Sequence, residues 1–194
     1  MQQKEQYYKI LLIIEQRKNE KLTVTISAHG AELQSIKNAE GREYLWQGDE
    51  KYWPRRSPLL FPIVCGLWKD EYRVDGRTFN LPRHGFARDM DFEVVEKSDT
   101  SVTYTLESSP ETREVYPYDF ELDVTYILND DAISVIWSVK NTGKQEMHFQ
   151  IGGHPAFNLP GVAEGDKMHG SILFDNVEPL TRIIGNTGGC IKPE

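Results

Sequence analysis

The sequence predicts an all-β protein whose antiparallel strands form a sandwich or a barrel. First, apolar and polar residues alternate repeatedly, which is the period of a strand with one buried face. Second, a long alternating stretch, residues 120–128, runs into turn-forming residues 129–131 and is followed by a second stretch, residues 133–139. Third, Asp75-Gly76 is typical of a tight type I′ hairpin turn. Short turns between strands favour antiparallel pairing.

The first segment is the least clear element. Residues 10–14 fit a helical stripe together with Tyr7, but their β-branched run favours a strand, which we predict. We see no repeat or long linker, so residues 1–194 are expected to form a single domain. The other alternating stretches are short and well separated: residues 22–26, 72–74, 77–79 and 102–106.

Composition and charge exclude several classes of partner. Hydrophobic residues at 39% and charged residues at 27% are typical of soluble globular proteins. The net charge of -8 opposes binding to nucleic acid, and no block of Lys and Arg offsets it. The apolar run at residues 10–14 is too short for a membrane span of about 20 residues, and no signal cleavage site follows it. We expect a cytoplasmic protein with neither a nucleic-acid nor a membrane partner.

The cysteines and glycines indicate no bound group. Cys65 and Cys190 are too few for a disulfide framework and lack the spacing of a zinc site. Each is expected to be a buried small hydrophobe or a loop residue. No phosphate-binding glycine loop and no metal-ligand spacing occurs. The sequence therefore implies neither a cofactor nor a metal.

An apolar loop is predicted at residues 53–68, where three prolines interrupt the alternation and rule out a central strand. Arg55 and Arg56 lie at its start, beside Trp53. A guanidinium held there can donate hydrogen bonds to sugar hydroxyls or to a phosphate. The alternative is a surface pair whose stems cover Trp53.

His84 is the first candidate site histidine. Gly85 lets a backbone or a ligand approach closely, and cationic Arg83 and Arg88 favour the neutral imidazole. A neutral imidazole both donates and accepts hydrogen bonds, which suits a sugar hydroxyl. On its own, a loop histidine is more often structural or exposed.

His154 is the second candidate. Residues 147–151 continue strand alternation, after which Gly152-Gly153 clear the space before His154 and Pro155 holds it extended. An imidazole pKa of about 6.5 suits a general acid or base, and Phe157 offers an aromatic face to a substrate. A histidine that caps a turn is the alternative. The remaining histidines lack such settings and are expected to be structural or exposed: His29, His148 and His169.

Four segments in order along the chain carry a family resemblance. They are Gly-Ala-Glu-Leu-Gln-Ser at 30–35, the proline-rich loop at 53–66, His-Gly-Phe-Ala-Arg at 84–88 and Gly-His-Pro-Ala-Phe-Asn at 153–158. Together they resemble the aldose 1-epimerase (galactose mutarotase) family, and most closely its LacX-like bacterial branch. The resemblance implies a large antiparallel β-sandwich of the galactose mutarotase-like type and cofactor-free interconversion of the α and β anomers of a hexose.

The resemblance also implies residue roles. His154 matches the histidine that protonates the ring oxygen, and His84 matches a second catalytic-site histidine that hydrogen-bonds the substrate. Arg55 best matches the arginine that opens the proline-rich loop, with neighbouring Arg56 left open. Arg88 resembles an arginine that holds the phosphate in relatives preferring hexose 6-phosphates, so either a hexose or its 6-phosphate is expected.

One part of the family pattern has no counterpart here. The resemblance implies a catalytic glutamate and a sugar-binding aspartate in a C-terminal portion, whereas residues 186–194 are loop-like and Glu194 has no matching setting. We expect a sandwich truncated at its C-terminus, with open strand edges and with its catalytic base not in this chain. The alternatives are a carbohydrate-binding sandwich without turnover, an inactive fragment, and a structural sandwich whose histidines are incidental.

Overall fold

The computed structural model describes residues 14–159, 161–162 and 165. Almost all regular structure in this part is β-strand. One short helix, α1, spans Pro110–Val115, and two 3₁₀ turns span Trp68–Asp70 and Ala87–Asp89. The strands are β1 (Ile14–Lys18), β2 (Leu22–Ser27), β3 (Glu32–Asn38), β4 (Leu59–Leu60), β5 (Glu71–Val74), β6 (Arg77–Asn80), β7 (Glu93–Lys97), β8 (Ser101–Glu107), β9 (Phe120–Asn129), β10 (Ala132–Asn141) and β11 (Gly152–Gly153).

Every strand pair is antiparallel, as predicted. A three-stranded sheet has the order β1-β2-β3, and a four-stranded sheet has the order β10-β9-β8-β7. Two smaller pairs, β5-β6 and β4-β11, complete the described strands. The predicted all-β, antiparallel fold class is therefore confirmed.

The two larger sheets share one hydrophobic core. Alternate residues of β9, from Phe120 to Leu128, are buried, and so are Val24 and Ile26 of β2. Such burial on one face of each sheet is the packing of a β-sandwich. A buried tyrosine also ties the sheets together, because the Tyr126 hydroxyl of β9 donates a hydrogen bond to the carbonyl that precedes β3, at 2.7 Å.

The hairpin predicted at Asp75-Gly76 is confirmed. Both turn residues have positive φ, 48° and 77°, as a type I′ turn requires. The long pair β9-β10 also forms as the predicted antiparallel pair, and Asp130 at its turn has φ of 55°. Of the uncertain first segment, only Ile14 is described, and it opens β1.

The predicted strand at residues 147–151 is wrong. Only Gly152–Gly153 form a regular strand there, paired with β4 in the proline-rich segment. The Gln150 N–H donates to the Pro62 carbonyl at 2.9 Å, but Pro62 has no N–H with which to return a bond. Proline in the partner segment therefore ends the regular ladder after two residue pairs.

β10 borders an apolar cavity of about 940 Å³. Within the part of the chain that the structure describes, β10 lies at the edge of its sheet. Val135 and Trp137 line the cavity, and each is 39% exposed. Phe157 lies at the same cavity.

Candidate functional site

The proline-rich segment and the His154 segment run antiparallel as an interrupted ladder. Beyond the regular β4-β11 pairs, the His154 N–H donates to the Pro58 carbonyl at 3.1 Å. The Ala156 N–H donates to the Arg56 carbonyl at 2.9 Å. Pro58 has no N–H with which to return a bond. The two bonds tether the backbone at His154 and Ala156, and His154 is exposed.

His84 is held by the backbone of Cys65 on both sides. The His84 N–H donates to the Cys65 carbonyl at 2.9 Å, and the Cys65 N–H donates to His84 Nδ1 at 3.0 Å. His84 and Gly85 both have left-handed backbone, with φ of 69° and 71°. This conformation brings Gly85 directly against the Phe61 backbone, to which it is bridged.

The surroundings of His84 determine which ring nitrogen carries its proton, and they lower its pKa. Because Nδ1 accepts the Cys65 N–H, the ring proton of the neutral imidazole lies on Nε2. Partial burial lowers the pKa of His84, and the nearby charges of Arg88, His154 and Arg83 lower it further. His84 therefore presents an Nε2–H donor at neutral pH.

The two histidine rings lie close together although 70 residues separate them. Their centroids are 6.2 Å apart and the ring planes make an angle of 65°. The Trp53 ring packs against His154 with centroids 4.9 Å apart. Trp53 thus supports one face of an otherwise exposed imidazole, a contact that the sequence did not indicate.

Arg55 and Arg88 meet at one carboxylate. Arg55 Nη2 donates to Asp89 Oδ1 at 2.7 Å, and Arg88 Nε lies 3.5 Å from Asp89 Oδ2. Arg88 also donates through Nη2 to the Arg83 carbonyl at 2.7 Å. Partial burial lowers the pKa of Arg88, and so does the charge of Arg55. Arg88, whose charge acts on His84, thus shares one carboxylate with a second guanidinium.

Arg56 points elsewhere, with its Nη1 donating to the side-chain oxygen of Gln34. Its backbone N–H and that of Ser57 donate to Glu32 Oε1 at 3.0 and 2.8 Å. Glu32 is buried at the start of β3. No local sequence signal marks this contact, since the partners lie more than 20 residues apart.

Phe157 is not brought to the histidine pair by any contact in the described part. It is 60% exposed and lines the apolar cavity beside Pro155 and Trp137. Neither His84 nor His154 lines that cavity. A role for Phe157 in binding a substrate stays a prediction.

The remaining candidates lie in ordinary settings. Cys65 is an exposed loop residue that is not in a disulfide. His29 Nδ1 lies 2.7 Å from an Asp91 carboxylate oxygen, and the exposed His148 accepts a hydrogen bond from Tyr116 at its carbonyl. In the described part, no helix is long and apolar enough to cross a membrane. Further predictions lie outside the described residues: those for Cys190, His169, Glu194 and the tail at 186–194.

Comparisons with known proteins show the family and the fold of the chain. The family model for aldose 1-epimerase matches residues 13–173. Two curated relatives, the chromosomal and plasmid forms of protein LacX from Lactococcus lactis subsp. lactis, are each 41% identical over 169 residues. Each alignment covers 83% of this chain and 56% of the relative.

Two solved structures match at similar identity. A galactose mutarotase related enzyme from Lactobacillus acidophilus is 43% identical, with a TM-score of 0.77 over 80% of this chain and 52% of that one. A galactose mutarotase-like protein from Lactobacillus casei is 42% identical, with a TM-score of 0.76 over 79% of this chain and 52% of that one. The chain thus spans a little more than half the length of these relatives. By sequence and by fold, it belongs to the aldose 1-epimerase family.

Proposed function

We propose that this chain binds a cyclic hexose beside His84 and His154 and contributes the acid side of anomer interconversion. The observation that carries the proposal is the pairing of the two rings, 6.2 Å apart, with the proton of His84 fixed on Nε2. One ring then serves as a fixed donor, and the other is exposed.

His154 acts in this proposal as the general acid. It donates a proton to the ring oxygen while the bond from that oxygen to the anomeric carbon breaks. A base takes the proton of the anomeric hydroxyl, and the anomeric carbon becomes an aldehyde. Rotation about the adjacent C–C bond and closure on the other face give the other anomer and return both protons. The exposed side chain of His154 and its support by Trp53 suit this role.

His84 orients the sugar. Its Nε2–H donates to an oxygen of the substrate, while Nδ1 stays occupied by the Cys65 N–H. A lowered pKa keeps the ring neutral at pH 7. The residue is thereby suited to binding more than to proton transfer.

The base is proposed to come from outside the described residues. Asp89 is already paired with Arg55 and Arg88, and Glu32 accepts two backbone N–H groups. One positioned proton-transfer group contributes about 10²- to 10⁴-fold to a rate. Anomer exchange by the acid side alone is therefore expected to be slow.

The substrate is proposed to be a free hexose or a hexose 6-phosphate in the cytoplasm. Arg88 lies near His84 and Arg55 lies near Arg88, and a guanidinium binds phosphate oxygens in a bidentate way. Asp89 neutralises part of that charge. A phosphate would compete with Asp89 for the same donors.

The second candidate function is sugar binding without turnover. It is favoured by the engagement of both Asp89 and Glu32 in other contacts. Binding would then depend on His84 and not on His154.

Saturation-transfer NMR on α- and β-glucose, on the galactose anomers and on their 6-phosphates tests the proposal. We expect anomer exchange above the spontaneous rate, lost in His154→Ala and kept in the matched surface variant His29→Ala. Exchange that persists in His154→Ala contradicts the proposed acid. Sugar binding with no exchange in either protein supports the second candidate.

A further inference from the structure

Glu32 is a buried carboxylate that the proposed chemistry does not use. Glu32 is the first residue of β3 and is 9% exposed. Oε1 accepts hydrogen bonds from the N–H groups of Arg56 and Ser57, at 3.0 and 2.8 Å. Hydrogen bonds to a charged acceptor are about twice as strong as neutral ones, which offsets the cost of burying the carboxylate.

Residues 56–58 also bind the segment that carries His154, this time through their backbone carbonyl groups. The Arg56 carbonyl accepts from the Ala156 N–H at 2.9 Å, and the Pro58 carbonyl accepts from the His154 N–H at 3.1 Å. Residues 56–58 therefore lie between Glu32 and the backbone of His154. In a regular sheet these amides would donate hydrogen bonds to a neighbouring strand, and here they donate to the Glu32 carboxylate instead.

Two further groups of the site belong to this loop. Trp53 packs against the His154 ring, and Arg55 pairs with Asp89. The negative charge of Glu32 also acts on Arg88, favouring its charged form. The Glu32 carboxylate is thus linked, through the loop or through its charge, to His154 and Trp53 and to the Arg55 and Arg88 pair.

We propose that Glu32 is a positioning residue, an anionic anchor that sets the orientation of the His154 ring and the location of Arg55. It touches neither ring itself. The effect of Glu32 on catalysis rests on the proposed function, whereas its effect on the orientation of the His154 ring does not.

Glu43 provides a matched control because it uses the same chemistry at another loop. Its Oε1 accepts from the N–H groups of Ile36 and Leu45, at 2.8 and 2.9 Å, and its Oε2 accepts from the Ser35 hydroxyl. None of these partners lies at residues 53–57, although Leu45 is bridged to Phe157, three residues beyond His154. Glu43→Gln therefore removes a comparable charge with comparable bonds.

The experiment is sugar-free NMR on the wild-type chain, Glu32→Gln and Glu43→Gln, with urea unfolding of each. We expect both variants to lose stability to a similar degree. In Glu32→Gln alone, the His154 ring signals move and the nuclear Overhauser effect between Trp53 and His154 weakens. The His84 signals stay in place in both, because the Cys65 backbone holds that ring.

The proposal is overturned if the His154 signals are unchanged in folded Glu32→Gln, or if they move equally in Glu43→Gln. Glu32→Asp serves where Glu32→Gln does not fold, since it keeps the charge but is too short to reach both amides. If neither variant folds, Glu32 determines the fold and the positioning role is rejected.

The readout without sugar keeps this test separate from the proposed function. Should the chain show no anomer exchange at all, the ring signals still decide the role of Glu32. Where exchange is measurable, its rate in Glu32→Gln is expected to fall by up to about 100-fold, the cost of misplacing a reacting group by roughly 1 Å.

Discussion

Gly85→Ala is expected to destabilise the chain, and to disturb His84, more than Gly76→Ala does. A Cβ on Gly85 would lie 2.2 Å from the Phe61 carbonyl oxygen and 2.6 Å from the Pro62 nitrogen. Real Cβ atoms do not approach backbone so closely, so one of the two segments must move. The segment that carries Gly85 also carries His84.

The magnitude follows from two separate costs. Left-handed backbone at φ of 71° costs an alanine about 1–2 kcal/mol. Overpacking adds about 1–3 kcal/mol, with the upper end expected because the contact is with rigid backbone. Gly76→Ala is the matched control, since Gly76 has φ of 77° and no atom within 4 Å of its added Cβ.

Urea unfolding of the two variants isolates the clash, because the conformational cost is common to both. We expect Gly85→Ala to lose about 1–3 kcal/mol more than Gly76→Ala. The ¹⁵N signal of His84 Nδ1 should also change in Gly85→Ala only, as the bond from the Cys65 N–H is displaced. Equal stability losses with an unchanged His84 signal would refute the close packing of this loop.

Three further predictions follow from the same contacts. The pKa of His84 is held below its ordinary value, so the unfolded chain binds a proton that the native chain does not as pH falls below about 6.5. The free energy of unfolding measured in urea should therefore fall with pH in that window, and less steeply in His84→Gln. Cys65→Ala should leave the Nε2–H tautomer of His84 unchanged in ¹⁵N NMR, because both hydrogen bonds between the two residues use the backbone of Cys65. Tyr126→Phe should cost about 1 kcal/mol of unfolding free energy, and Tyr104→Phe less, because their hydroxyls donate to backbone carbonyls at 2.7 and 3.4 Å.

Each of these has a clear contrary result. A pH profile that is identical in wild type and His84→Gln would mean that the native chain protonates His84 as easily as the unfolded one. A tautomer change in Cys65→Ala would assign a role to the thiol. Equal losses of unfolding free energy in the two tyrosine variants would mean that the Tyr126 hydrogen bond contributes no more than the longer Tyr104 bond.

The strands could be predicted because their signal is local. The alternation at residues 120–128 and 133–139 predicted both strands and their antiparallel pairing, and Asp75-Gly76 predicted a turn. The prediction at residues 147–151 was wrong because the partner segment decides whether a ladder forms, and here that partner contains prolines. That residues 1–194 make one domain stays a prediction.

The site was less accessible to sequence reasoning. His84 and His154 were selected separately, and their meeting at 6.2 Å depends on a ladder formed across about 100 residues. The roles of the two rings came from a family resemblance. Glu32 lies in the first segment of that resemblance, but nothing in the sequence marked its contact with Arg56 and Ser57. Long-range backbone contacts of this kind leave no periodicity in a sequence.

The most direct test of the central claim is an NMR titration of the chain with a hexose, observed at the rings of His84, His154 and Trp137. We predict that both histidine rings shift with one common dissociation constant, while the Trp137 indole in the apolar cavity stays in place. Shifts at Trp137 with both histidines unmoved would place the sugar in the cavity and contradict the account.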